Sequence, residues 1–237
     1  MTIYILCAEI VLIGLFIFVE VSHRPQLAMF LKGFASFGFI AVLISVLTDR
    51  LVLADGMITN EQRLLPVALV ILPGLVCGLL GDVYLALRPL RPKSEDSHLI
   101  LGGVVFFATG HLFYLAALLM MGEFSGWAIL FSVLISILIY LSAGWMKLTW
   151  EKSKVPCMIY SFLIFLMIGQ AFANASAAGF DSMTAIFFAG ALLFGISDLI
   201  LSQIYFKGQN DNKVFIIANL STYYAAQVLI ALALLYF

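Results

Sequence analysis

The chain has 237 residues, 64% hydrophobic and only 11% charged, with a net charge of −1. Soluble domains carry about a quarter charged residues, so this composition, with a mean hydropathy of +1.13, excludes an ordinary water-soluble globule. It points instead to a polytopic membrane protein, and the missing basic excess argues against a nucleic-acid partner.

A helix needs about 20 apolar residues to cross the hydrocarbon core. Eight segments qualify in chain order: 3–21, 27–48, 64–87, 99–121, 124–146, 155–178, 183–206 and 214–236. Uninterrupted apolar runs favour helices over barrel strands, which alternate every second residue. The first segment has no Lys or Arg before Arg24 and no small-residue cleavage pattern before Ser22, so it is expected to be a retained helix. Polar or turn-forming stretches separate the segments, and none is large enough for a soluble domain. The expectation is one all-α domain, residues 1–237, built as a single bundle of eight transmembrane helices.

Orientation follows from loop charge. Arg24, Arg88, Arg91, Lys93, Lys147, Lys152, Lys154, Lys207 and Lys213 fall in the odd-numbered loops, against Arg50 and Arg63 in the even-numbered ones. Cytoplasmic loops retain the positive residues, so both termini should be non-cytoplasmic. Trp127, Trp145 and Trp150 stand near segment ends, where interfacial aromatic belts form. Cys7, Cys77 and Cys157 are scattered in apolar runs and read as buried thiols.

Four charged residues lie well inside the segments: Glu9, Lys32, Asp82 and Asp198. Such residues mark sites, pathways or buried pairs. Lys32, Asp82 and Asp198 are eight, six and nine residues from the basic residue at their helix end, roughly 9–14 Å at 1.5 Å per residue. Three helices therefore carry charge at one level in the cytoplasmic half. Glu9 approaches from the other face and is expected to be structural or paired. The two aspartates sit in similar settings, "GLVCGLLGDVYL" (74–85) and "GALLFGISDLIL" (190–201), with Gly81 and Ser197 giving room beside them. His111, Tyr114, Tyr160, Gln170, Tyr223, Tyr224 and Gln227 reach comparable depth and could line a wet cleft holding both carboxylates.

Two carboxylates sharing one cavity are pushed toward different protonation states, the arrangement acid–base hydrolysis uses. A structural ion pair with Lys32 is the plainer alternative; proton coupling in a transporter or lipid-binding protein is another. A zinc site would need three convergent ligands, and only His111 of the three histidines lies deep, so no metal and no cofactor is expected. Leu79, three residues before Asp82, and Ser197, before Asp198, do not fit an intramembrane aspartyl protease.

Lys32, "LLGDVYLAL" with Asp82, "HLFY" with His111 and Tyr114, "VPCMIY" with Tyr160, "GALLFGISDLIL" with Ser197 and Asp198, and "YYAAQVL" with Tyr223, Tyr224 and Gln227 follow one another along nearly the whole chain. In this combination the chain resembles the YhhN-like integral membrane proteins, which include the lysoplasmalogenases. The resemblance implies hydrolysis of the vinyl ether bond of a lysophospholipid to a fatty aldehyde and a glycerophosphoethanolamine or glycerophosphocholine, in a bacterial inner (cytoplasmic) membrane. It implies Asp82 and Asp198 as an acid/base pair, in either order, and His111 or a tyrosine positioning water. Lys32 would hold the phosphate, with Tyr114, Tyr160, Ser197, Tyr223, Tyr224 and Gln227 around the substrate. Partners would be that substrate and membrane lipid.

Overall fold

The computed structural model describes residues 1–53, 61–145 and 154–237. Trp150, Lys147 and Lys152, expected at an interface and in a basic loop, lie outside the described residues. Among those described there is no strand. Eight long helices form: α1 (Thr2–Val21), α2 (Pro25–Leu53), α3 (Glu61–Ala86), α4 (Asp96–Met121), α5 (Gly126–Trp145), α6 (Lys154–Ala177), α7 (Ser182–Phe206) and α8 (Lys213–Ala233). All eight are long and apolar enough to cross a membrane. The chain is a multi-pass integral membrane protein of all-α class.

The ends follow local chemistry. Asp181 caps α7, its Oδ1 accepting from Thr184 N at 2.8 Å and Thr184 Oγ1 at 2.6 Å. Asn212 caps α8 through Val214 N at 3.1 Å. Gly179 takes φ +64° in the turn before α7, a conformation that disfavours a side chain. Pro66 and Pro73 sit inside a continuous α3. Neighbouring helices can satisfy the carbonyls a proline frees, so membrane helices tolerate it.

Helices α2, α3, α4, α6, α7 and α8 each pack on the next, and α8 closes back on α2. α1 covers the seam of α2 and α8, and α5 lies outside α6. The two peripheral helices bury the smallest share of their length and α8 the largest. Outward-facing positions stay apolar, as lipid requires: Val11, Phe18 and Leu141 are exposed, and Trp127 and Trp145 project at the two ends of α5. The N-terminal amine and Thr2 N both bond Asp49 Oδ2, at 3.1 and 2.7 Å, and Arg50 Nη2 donates to Phe237 O at 2.7 Å. These bonds tie both termini to the far end of α2.

Candidate active site

Three glycines prepare the environment of Asp82. Gly74, Gly78 and Gly81 recur every three or four residues, on one face of α3. A Cβ at Gly74 would stand 2.5 Å from Tyr114 Cε1, one at Gly78 would collide with Gln227 Nε2, and one at Gly81 would come within 2.8 Å of the Phe107 ring. The missing side chains admit polar and aromatic groups from α4 and α8 into the bundle.

Asp82, only 2% exposed, accepts from three donors. Its Oδ2 takes Ser36 Oγ and Tyr223 Oη, each at 2.6 Å. Its Oδ1 faces Lys32 Nζ at 3.2 Å. Lys32 and Ser36 share one face of α2, a turn apart. The network continues on both sides: Gln227 Nε2 donates to Tyr223 Oη at 3.2 Å, Tyr114 Oη donates to Gln227 Oε1 at 2.7 Å, and Tyr224 Oη lies 3.1 Å from Ser36 Oγ. An anion with one cation and two hydroxyl donors has what a buried carboxylate needs.

Asp198 stands in a second cluster. Tyr160 Oη donates to its Oδ2, and the same hydroxyl lies 3.1 Å from His111 Nε2. His111 is fully buried, and its Nδ1 has no partner among the described residues. Asp198 and Tyr160 line a cavity of about 110 Å³ whose other walls are mostly apolar, including Ile100, Phe107, Ile164 and Leu199. Leu199 is 45% exposed, so the cavity reaches the flank of the bundle that faces lipid.

Aromatic rings separate the clusters. Phe194 meets Tyr223 edge-on at 5.4 Å and His111 at 4.6 Å, and Phe107 meets Tyr223 at 5.8 Å. Edge-to-face contacts of this kind are favourable and rigid. The cavity does not hold both carboxylates as expected: Asp198 lines it and Asp82 is not among its lining residues. Phe107 and Phe194 touch groups of both clusters.

The YhhN family matches residues 39–234. The chain belongs to the YhhN family. Among curated proteins it is similar to lysoplasmalogenase TMEM86B of Homo sapiens, 30% identical over 169 residues. That alignment covers 68% of this chain and 61% of the human protein, so the chain spans about three fifths of its relative's length. No solved structure matches it. Lys32 and Ser36 precede the family match; both aspartates fall within it.

Within this YhhN chain the residues singled out by sequence fall into three groups. Tyr160 joins Asp198 at the cavity, and His111 does not line it but backs the Tyr160 hydroxyl. Tyr114, Tyr223, Tyr224 and Gln227 belong to the buried network around Asp82, as does Lys32, whose ammonium is committed to that carboxylate. Ser197 turns away: its Oγ donates to Asn219 O at 3.2 Å, and Asn219 Nδ2 donates to Ser197 O at 2.8 Å, joining α7 to α8. Gln170 is also elsewhere. It clamps the α4–α5 connection, its Nε2 donating to Glu123 O at 2.8 Å and its Oε1 accepting from Ser125 N at 3.0 Å. Glu9, expected to be structural or paired, has no hydrogen-bond partner among the described residues, and its carboxyl packs into the space above Gly38 of α2. Ser36 was missed, although its position four residues after Lys32 in an apolar run was a usable signal.

Proposed function

We propose that this protein is a membrane-embedded hydrolase that cleaves the vinyl ether bond of lysoplasmalogens, with Asp198 as the acid and Asp82 as the charged partner. The observation that carries the reading is Asp198: one carboxyl, held by Tyr160, in an apolar cavity at membrane depth and open toward lipid. The name of the human relative supports the same chemistry.

Vinyl ether hydrolysis begins with protonation of carbon. Asp198 gives its proton to the alkenyl carbon beyond the one bonded to oxygen, leaving an oxocarbenium ion. Water adds to that cation and returns a proton to the Asp198 carboxylate. The hemiacetal then collapses to the aldehyde and the free hydroxyl of the glycerophospho product, so one water is consumed and the acid is regenerated. Tyr160 and His111 hold the carboxyl in place. Asp82, fixed as an anion by Lys32, Ser36 and Tyr223, sets a negative potential that favours the cationic intermediate. The division resembles a glycosidase pair, with one acid and one charge stabiliser. In this reading the eight helices act as one domain, both termini are non-cytoplasmic, and the substrate enters sideways from the cytoplasmic leaflet.

The test is aldehyde release by the purified protein from lysoplasmenylethanolamine, beside the matching ester and alkyl-ether lysolipids. The expected result is cleavage of the vinyl ether alone. Asp198→Asn should lower the rate at least 100-fold, the usual scale of a lost general acid. Full activity in that variant would sink the mechanism. Uptake into proteoliposomes without any product would favour a transporter.

A further inference from the structure

Lys32, the cation assigned to the phosphate on sequence grounds, is tied to Asp82. A headgroup at the cavity would need a different partner. Arg88 stands just beyond the end of α3, at the start of a 3-10 turn, Arg88–Leu90. Its Nε and Nη2 donate to the two oxygens of Asp96, at 2.6 and 2.7 Å. Its Cζ lies 3.8 Å from the centre of the Tyr205 ring. The side chain is only 13% exposed. A bidentate carboxylate and an aromatic face together hold the guanidinium in one orientation. Asp96 takes two of its three nitrogens and Tyr205 is its second side-chain partner, so a phosphate would share the Nη1 edge with the Tyr205 hydroxyl rather than displace Asp96.

Tyr205 is also a wall of the Asp198 cavity, with Leu85, Ile100 and Phe206 around the same end. Arg88 does not itself line the cavity but stands against its Tyr205 wall, where α3 and α7 finish and α4 begins. The spacing fits a specific ligand. Asp198 and Tyr205 are seven residues apart on α7, about 10 Å along the axis. In a lysoplasmalogen, seven bonds separate the alkenyl carbon that takes the proton from phosphorus. That is about 9 Å when extended, at ordinary bond lengths. A molecule with its vinyl ether at Asp198 has its phosphate level with Tyr205.

We propose that Arg88, positioned by Asp96 and Tyr205, binds the phosphate of the lysolipid headgroup and so sets the register of the vinyl ether against Asp198. This assignment rests on the hydrolase reading above. It makes the phosphate, rather than the ethanolamine or choline beyond it, the recognised part of the headgroup.

The experiment compares lysoplasmenylethanolamine with the corresponding 1-O-alkenylglycerol, which lacks phosphate. The wild-type protein should favour the phospholipid through KM. Arg88→Gln should reduce that preference at least tenfold, mainly in KM, and Arg88→Lys should retain part of it. An unchanged ratio in Arg88→Gln, or an equal loss on both substrates, overturns the assignment. Should Arg88→Gln fail to fold, Tyr205→Leu carries the same ratio test, because it removes the guanidinium's platform. Inorganic phosphate is the control for a free-anion site: competition at millimolar concentration, equal on both substrates, also overturns it. Should wild type cleave neither substrate, the hydrolase reading fails first. Binding of an uncleavable 1-O-alkyl lysophospholipid against 1-O-alkylglycerol then decides Arg88 separately, with phosphate-dependent binding lost in Arg88→Gln as the supporting result and phosphate-independent binding as the overturning one.

Discussion

Asp82 and Asp198 sit at the same place in two similar stretches, and the bundle treats them differently. In α3 the glycines before Asp82 admit side chains: Tyr114, Gln227 and Phe107 fill the space that Cβ atoms would take. In α7 the glycines bring other helices close. A Cβ at Gly190 would stand 3.0 Å from Ala226 O, and one at Gly195 2.6 Å from Ile168 Cδ1. The residue before each aspartate repeats the contrast, since Gly81 faces a ring and Ser197 bonds α8. As a result Asp82 is enclosed by donors and Asp198 is left at a cavity with one. Similar local sequence has been used once to bury a charge and once to leave a carboxyl at a small cavity that reaches the lipid-facing flank.

The sharpest way to break the comparison is to remove one carboxylate at a time and measure stability. Asp82→Asn leaves Lys32 buried without its counter-charge, and breaking a buried pair in this way costs about 3–5 kcal/mol. Asp198→Asn removes no ion pair seen among the described residues and should cost far less. Denaturant or thermal unfolding in detergent checks both. Lys32→Met combined with Asp82→Asn should recover most of the loss, because the stranded cation is gone. Equal destabilisation by the two single changes would erase the distinction between the sites.

How far the sequence carried this comparison depends on what depth and rotation each reveal. Helix existence was legible because apolar runs of membrane length have few alternatives. The common level of Lys32, Asp82 and Asp198 came from counting residues to the nearest basic end, and a structural pair of both aspartates neutralised by Lys32 was one of the readings that followed; which aspartate Lys32 would face was not legible. Rotation about the helix axis was not legible. Ser197 and Asp198 are neighbours, yet about 100° apart around α7, and one faces α8 while the other faces the cavity. A membrane helix is apolar on nearly every side, so no polar face indicates which way it turns. Gln170 failed for a different reason. It is 16 residues beyond Lys154, about 24 Å along α6, and so reaches the opposite end of the bundle. The role of Phe107 and Phe194 was invisible because they look like lipid-facing phenylalanines until their contacts with Gly81, Tyr223 and His111 are placed.

A smaller effect sharpens the same contrast. Gly81→Ala and Gly190→Ala should each destabilise by about 1–3 kcal/mol, the usual cost of forcing an extra carbon into a packed interior. Their effects on aldehyde release should differ. Gly81→Ala pushes Phe107, which lines the cavity, whereas Gly190→Ala strains a helix contact away from it. Unfolding measurements paired with rates on lysoplasmenylethanolamine test this. Parallel losses of activity in both variants would mean that Phe107 has no role beyond packing.

The smallest stability effect and one of the more informative activity effects should come from Tyr160→Phe. The hydroxyl joins His111 Nε2 to Asp198 Oδ2, and losing one such hydrogen bond costs about 1 kcal/mol. The ring stays, so its packing against His111 at 5.3 Å is kept. Asp198 would then keep its place on α7 but lose the donor that fixes its carboxyl. If that orientation matters for delivering a proton to carbon, kcat falls while KM and the unfolding midpoint barely move. A fall in all three together would make Tyr160 a structural strut. At Asp82 the matching change, Tyr223→Phe, leaves Ser36 and Lys32 in contact with the carboxylate, so its effect on rate should be the weaker of the two.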